Sequence, residues 1–141
     1  MLPGEERLWV RMSGPDRRHA AGVARDVERA LGHEATRPVL AAALLHDVGK
    51  IESSLRTYHR VIATLCGMMV GREQAREWMR STGFTRRVGM YLLHPELGGD
   101  LLAMAGSDAL TVAWTREHHK PSDQWTIDAH VAHVLKECDD D

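Results

Sequence analysis

Apolar residues recur at helical spacing along nearly the whole chain. After Gly14-Pro15, apolar positions three and four residues apart continue to Leu31, and Gly32 follows them. Side chains at this spacing lie on one face of a helix, so the pattern predicts an amphipathic helix that buries that face. We expect Asp16 to cap its N-terminus. No segment alternates between apolar and polar residues for long enough to predict a strand.

Glycine and proline divide the pattern into further helices. The second helix is predicted to begin at Thr36 and Pro38 and to end at Gly49, since proline fits a first turn and glycine a helix end. A break or kink is expected at His94-Pro95, because proline disfavours helix at the residue before it. The remaining predicted segments cover 53–70, 73–80, 85–93, 97–105, 107–118 and 127–135. The prediction is an all-α, compact bundle of six or seven helices that forms one domain over 1–141.

Composition narrows the classes of protein to consider. The chain has 141 residues, 43% of them apolar, which suffices for a core of its own, and its formal net charge of −2 gives no overall field for nucleic acid or an anionic membrane. Cys66 and Cys138 lie far apart, so we expect no disulfide framework. The longest apolar stretch, 61–70, has about half the residues that a membrane helix needs, and the first residues do not resemble a signal peptide. We therefore expect a soluble, cytoplasmic protein that binds neither DNA, RNA nor membranes.

The chain carries nine histidines, more than its Phe, Trp and Tyr together. Imidazole nitrogens and carboxylate oxygens are ligands for divalent transition metals, and helices assemble such sites when each projects a ligand into a shared interior. The candidate ligands are His19, His46, Asp47, His94, His118, His119 and Asp139. The other histidines match no such pattern and are assigned to the surface or the core: His33, His59, His130 and His133.

One stretch is more specific than any single histidine. Residues 41–50 read Ala-Ala-Ala-Leu-Leu-His-Asp-Val-Gly-Lys, which resembles the signature of the HD-domain superfamily of metal-dependent phosphohydrolases. His19 resembles the family's first ligand, in Arg-Arg-His-Ala-Ala-Gly-Val-Ala. The segment His94-Pro-Glu-Leu-Gly-Gly-Asp-Leu-Leu resembles an element of the HD-GYP branch, and Glu117-His118-His119 resembles that branch's double histidine. Asp139 stands where the family has its closing aspartate, so the resemblance covers about 16–139.

The resemblance implies an HD-domain fold and a ligand set. One metal would be held by His19, His46, Asp47 and Asp139, and a second by Asp47, His94, His118 and His119. Asp47 would bridge the two ions, and Asp140 is the alternative to Asp139. Mixed imidazole and carboxylate ligands suit Mn, Fe, Ni or Zn better than Mg or Ca, and either one or two ions is consistent with the sequence.

Further candidates concern the substrate. The resemblance implies that Lys50 contacts phosphate, although a lysine at a helix C-terminus also interacts favourably with the helix dipole. Arg116 and Lys120 flank the double histidine and could bind substrate phosphate or serve only as solvated surface charges. Trp125 could stack on a base or pack locally.

The chain departs from the HD-GYP branch after the double histidine. Residues 120–125 read Lys-Pro-Ser-Asp-Gln-Trp, without the Gly-Tyr-Pro loop that helps to hold a cyclic dinucleotide. The resemblance therefore implies a phosphomonoesterase or phosphodiesterase acting on a nucleotide, a dinucleotide or another small phosphorylated molecule by attack of a metal-activated water. The alternative is a non-catalytic HD module that binds metal and a nucleotide ligand or protein partner as a regulator. A homodimer is the default assembly for a small helical enzyme.

Overall fold

The structure is a computed structural model, and it describes residues 1–53 and 71–140. This part of the chain is helical and contains no strand. The α-helices are α1 Pro3–Arg11, α2 Gly14–Leu31, α3 Arg37–Leu45, α4 Lys50–Ser53, α5 Arg72–Arg80, α6 Gly83–Leu92, α7 His94–Met104, α8 Ala109–Glu117 and α9 Ala129–Asp140. Eight of them have nine residues or more, which confirms the predicted all-α bundle. None of these helices is long and apolar enough to cross a membrane. The segment predicted over 53–70, which includes His59 and Cys66, lies almost wholly outside the described residues.

The N-terminus of α2 is capped by Ser13, so the predicted cap at Asp16 is wrong. The Ser13 hydroxyl accepts a hydrogen bond from the Asp16 backbone N–H at 3.2 Å and donates one to the Asp16 carboxylate at 2.6 Å. Gly14-Pro15 therefore belongs to the first turn, where the missing N–H of proline costs nothing. Gly32 ends the helix with a φ of 55°, a conformation that favours glycine.

The His46-Asp47 doublet lies in a turn rather than in a helix. Helix α3 ends at Leu45, and turn hydrogen bonds from Val48 N–H to Leu45 O and from Lys50 N–H to Asp47 O lead into α4. The predicted end of this helix at Gly49 is therefore wrong by four residues. The two adjacent side chains of the doublet reach one site, since His46 Nε2 lies 3.6 Å from Asp47 Oδ2.

The break predicted at His94-Pro95 is confirmed, because α6 ends at Leu92 and a separate helix, α7, follows it. The start of α7 is corrected: it begins at His94, with Pro95 in its first turn, and not at Leu97. The segment predicted over 107–118 is shorter in the structure: α8 runs from Ala109 to Glu117, with Asp108 as its N-cap residue.

Two large apolar clusters hold the helices around the doublet. One joins α2, α3, α8 and α9 through residues such as Val27, Trp114 and Leu135. The other is built by α1, α2, α3, the doublet turn and α7: Leu8, Met12, Ala20, Leu45, Val48 and Leu102. Helix α1, which the sequence analysis did not identify, thus packs directly behind the turn that carries Asp47.

The doublet turn and the start of α7 are in contact through their backbone atoms. A Cβ atom added at Gly49 would overlap the carbonyl oxygen of His94 and lie 2.7 Å from the amide nitrogen of Gly98. No residue larger than glycine fits Gly49 without moving the backbone. This close approach places the turn that carries Asp47 directly against the first turn of α7, which carries His94.

Candidate metal centre

The structure brings the seven candidate ligands together. They form two groups, in each of which the ligand atoms lie within 4.8 Å of one another: His19, His46 and Asp47 in one, and Asp47, His94, His118 and His119 in the other. Asp139 contacts the first group. The two groups are called here the His19 group and the His119 group, and they share Asp47.

Asp47 lies at the centre with its carboxylate buried. Its Oδ1 is 3.1 Å from His94 Nε2 and 3.8 Å from His118 Nε2, and its Oδ2 is 3.6 Å from His46 Nε2 and paired with the Lys50 ammonium. Burial alone would raise the pKa of Asp47. The rings of His118 and His94 and the positive charges at His46 and Lys50 outweigh burial and hold this pKa well below its usual range. The group is therefore a carboxylate near neutral pH.

Three of the imidazoles are oriented in the same way. The Nδ1 atom of each is 2.7–3.0 Å from the backbone carbonyl three residues earlier, and the pairs are His46 with Ala43, His94 with Tyr91 and His118 with Thr115. Since a carbonyl only accepts, Nδ1 must donate, so in the neutral ring the lone pair is on Nε2. Metal-binding histidines commonly have this arrangement, in which an outer hydrogen bond sets the tautomer and the ring angle.

Two of these lone pairs have no hydrogen-bond partner. Among the described residues, Nε2 of His46 and Nε2 of His118 are buried and no donor hydrogen-bonds to them. Carboxylate oxygens lie near them, Asp139 Oδ1 at 3.1 Å from His46 and Asp47 Oδ1 at 3.8 Å from His118, and these only accept. A buried polar atom left in this way costs about 1–3 kcal/mol. A metal ion between the rings would satisfy both atoms, so the residues present fit a cation.

The neutral state of the His118 and His119 rings also favours metal binding. Burial lowers the pKa of His118, and it lowers the pKa of His119 to about 3 with help from the positive charges of His118 and His94. Both rings are neutral near pH 7, as a metal ligand must be. At His46, burial also lowers the pKa, but the carboxylates of Asp139 and Asp47 outweigh it and the pKa is raised. A metal ion that binds at His46 would therefore have to displace a proton from this ring.

Asp139 closes the site from α9. Its Oδ1 is 2.9 Å from His19 Nε2 and 3.1 Å from His46 Nε2. Burial would raise the pKa of Asp139, but the contacts with His46 and His19 lower it. Asp140 instead forms an exposed ion pair with Lys136 at 2.8 Å. Of the two candidates for the closing ligand, Asp139 is the one at the site.

The site has a buried floor and an open rim. His46, His94, His118 and Asp47 are buried, whereas His19 and His119 are exposed. The ring of His119 contacts His94, with 3.3 Å between the two Nε2 atoms. A metal ion held by the floor residues would therefore be accessible to a ligand from solvent.

The three predicted phosphate-binding residues differ in position. Lys50 contacts Asp47 directly and is largely buried. Arg116 forms a surface ion pair with Asp100 at 2.8 Å. Lys120 is half-buried and follows the double histidine directly, and its backbone N–H donates to Glu117 O. Only Lys50 contacts a candidate metal ligand among the interactions of the described residues.

Trp125 packs locally. Its Nε1 donates to the carbonyl oxygens of Glu117 at 3.1 Å and Lys120 at 3.0 Å. Its ring centroid lies 5.4 Å from that of Trp114 and 5.2 Å from that of His133. The indole is held by these contacts, which support the local-packing alternative over base stacking.

Sequence reasoning missed Lys136. Its positive charge contributes to the lowered pKa of His119, which indicates that it lies near the site. It precedes Asp139 by three residues on α9, and residues at that spacing share a helix face. This spacing was the available signal.

No protein-family model, no curated protein and no solved structure matches this chain. The resemblance to the HD-domain superfamily therefore stays a prediction from its motifs. The fold and the site define an all-α protein with a buried histidine and aspartate group that could hold a metal ion.

Proposed function

We propose that this protein is a metal-dependent phosphohydrolase of the HD-domain type, acting on a nucleotide or another small phosphorylated molecule. The observation that carries the proposal is Asp47, a buried carboxylate shared by two groups of ligands, with the Lys50 ammonium beside it. Divalent ions held there would activate water near neutral pH and neutralise phosphoryl oxygens. The ligand set suits Mn, Fe, Ni or Zn.

The protein's own groups have distinct roles in this proposal. Asp47 and Asp139 supply negative charge, and neutral imidazoles supply the remaining ligands. Lys50 binds an oxygen of the substrate phosphate, because an ammonium forms strong, charge-assisted hydrogen bonds with such oxygens. The contact between Lys50 and Asp47 holds the ammonium next to the place where the phosphate would lie.

The open rim of the site is one argument for a small substrate. The exposed rings of His19 and His119 leave the site accessible from solvent, whereas a net charge of −2 gives no general attraction to a nucleic acid polymer. The proposal includes a cytoplasmic location and a substrate such as a mononucleotide or dinucleotide.

The test combines metal analysis with activity. The purified protein is stripped with a chelator and reloaded with Mn²⁺, Fe²⁺, Ni²⁺ or Zn²⁺. It is then assayed with p-nitrophenyl phosphate, bis(p-nitrophenyl) phosphate and a panel of nucleotides. We expect metal-dependent turnover of at least one substrate, abolished by Asp47→Asn and retained by the matched control Asp26→Asn, an exposed carboxylate paired with Arg29.

The other outcomes are equally informative. Stoichiometric metal without turnover of any substrate would overturn the enzymatic proposal in favour of the regulatory alternative. A protein that binds none of these metals would overturn both.

A further inference from the structure

The double histidine begins a loop whose two ends are fastened together. Glu117, the last residue of α8, accepts hydrogen bonds from the Thr126 N–H at 2.8 Å and the Thr126 hydroxyl at 2.7 Å. Trp125 donates to the Glu117 carbonyl oxygen. These three residues, Glu117, Trp125 and Thr126, are called here the loop clamp. Residues 118–124 lie between its two sides.

The clamp is joined to the core. The Glu117 side chain is buried, with 8% of the residue exposed, and the Trp125 ring packs against Trp114 in the cluster that joins four helices. A carboxylate in such a place needs both of its donors, because losing one leaves a buried acceptor unpaired. The clamp therefore holds the loop in one backbone conformation.

His119 depends on this backbone more than the other ligands do. His46, His94 and His118 are each oriented by a carbonyl on Nδ1, and His19 by Asp139. Among the described residues, the hydrogen-bonding contact of the His119 ring is with His94, another candidate ligand. The ring also packs against His118 and His94, with centroid distances of 4.0 and 5.2 Å, so these contacts too are with other candidate ligands. Its position follows from the path of the loop.

We propose that Glu117 is a positioning residue for the metal centre and that, through Thr126, it sets the position of His119. Its loss should weaken metal binding by the His119 group and leave the His19 group unchanged. The inference rests on the proposed metal centre for one of its two readouts, whereas the other needs no metal and neither needs phosphohydrolase activity.

The metal readout isolates each group in turn. The His19→Ala protein leaves the His119 group intact, and the His119→Ala protein leaves the His19 group intact. Glu117→Gln is added to each, and Mn²⁺ and Zn²⁺ affinities are measured by calorimetry. We expect an affinity about tenfold lower in the first background and a change of less than about twofold in the second, since partners that orient ligands contribute about 10–100-fold.

The metal-free readout uses the imidazole rings themselves. In chelator-treated, ¹⁵N-histidine-labelled protein, Glu117→Gln should shift or broaden the His119 ring signals and leave those of His19 and His46 in place. Thr126→Val, which removes one hydroxyl at nearly constant volume, should act in the same direction and serves if Glu117→Gln does not fold.

Glu5→Gln is the matched control for a general loss of stability. Glu5 is a fully buried glutamate in α1 that accepts a hydrogen bond from the Leu2 N–H at 2.7 Å. It is expected to lower the melting temperature without changing either metal affinity. Equal losses of affinity in the two backgrounds, or unchanged His119 ring signals, would overturn the positioning role. A selective loss without any phosphohydrolase activity would support it while the proposed function failed.

Discussion

Replacing Asp47 with asparagine tests the shared ligand most directly. Asparagine keeps the shape of the side chain but removes its negative charge. In the structure this charge faces His46, His94 and Lys50, and it supplies an oxygen to both ligand groups. We therefore expect Asp47→Asn to weaken metal binding by both groups together, by more than about 100-fold.

The same substitution has a calculable effect without metal. The depressed pKa of Asp47 shows that its contacts favour the charged form in the folded protein. Removing one partner of a buried ion pair costs about 3–5 kcal/mol because the other charges remain uncompensated. Since Lys50 keeps some solvent access, we use the lower end of this range, about 3 kcal/mol, for the loss in the free energy of unfolding. At about 3 °C per kcal/mol for a chain of this length, the melting temperature should fall by about 10 °C.

The assay compares Asp47→Asn with Asp139→Asn at pH 7.5. Asp139 is also a carboxylate between two imidazoles, His19 and His46, and its contacts with candidate ligands in the described part of the chain are with the His19 group. Elemental analysis should therefore find both ions lost from Asp47→Asn and at most one lost from Asp139→Asn. Metal affinity within about threefold of the wild type in Asp47→Asn, or equal losses in the two variants, would refute the shared role.

Three further predictions address other parts of the site. Lys50→Met should keep its metal content by elemental analysis but lose about 10–100-fold in turnover, because a charge-assisted contact to phosphate is removed; unchanged turnover would contradict it. Gly49→Ala should lower the melting temperature and the metal affinity, because its Cβ would overlap the His94 carbonyl, whereas Gly22→Ala, where nothing lies within 4 Å, should stabilise the protein by about 0.5–1 kcal/mol. In the metal-free protein, the contribution of His119 to the free energy of unfolding should fall as the pH goes from about 7 towards 4, because the unfolded chain takes up a proton at His119 near pH 6.5 while the folded chain, with a pKa of about 3, does not. Thermal unfolding of His119→Gln should show a smaller fall, and an unchanged pH dependence would count against that assignment.

The periodicity of apolar residues was enough to predict the helical fold, but it could not place the helix ends. Ser13 and Asp16 are both good capping residues three positions apart, and in the structure the first caps the helix while bonding to the second. Proline at position 95 correctly indicated the break after Leu92, but the pattern placed the next helix at Leu97, three residues after its start at His94. Such choices depend on tertiary contacts.

Helix α1 was missed although local signals for it exist. Pro3 stands in its first turn, and Glu5 reaches back to the Leu2 N–H in the manner of a capping box. Its apolar stripe is short, however, with Leu8 as its one large buried apolar side chain. Periodicity over so few residues is weak, and the helix is stabilised by packing behind the doublet turn.

Motifs identified the candidate ligands but not how they are held. Asp139 and Asp140 are equivalent by composition, and their separation by about 100° around α9 directs one to His19 and the other to Lys136. The bond between Glu117 and Thr126 spans nine residues outside any helical period. Contacts of this kind have no sequence pattern and follow only from the folded loop.

The contact between His19 and Asp139 joins residues 120 positions apart in the sequence. Closing a loop of that length costs about 4 kcal/mol of chain entropy, so the contact must wait until α2 and α9 have packed against the other helices. Helix α9 joins that packing through Val131, Ala132 and Leu135, which lie in one cluster with Val27 of α2 and Trp114 of α8. The His19 group therefore forms only when this part of the core is packed. A local opening of α9 would take Asp139 away from His19 and His46, whereas the contact between Asp47 and His94 involves neither α2 nor α9.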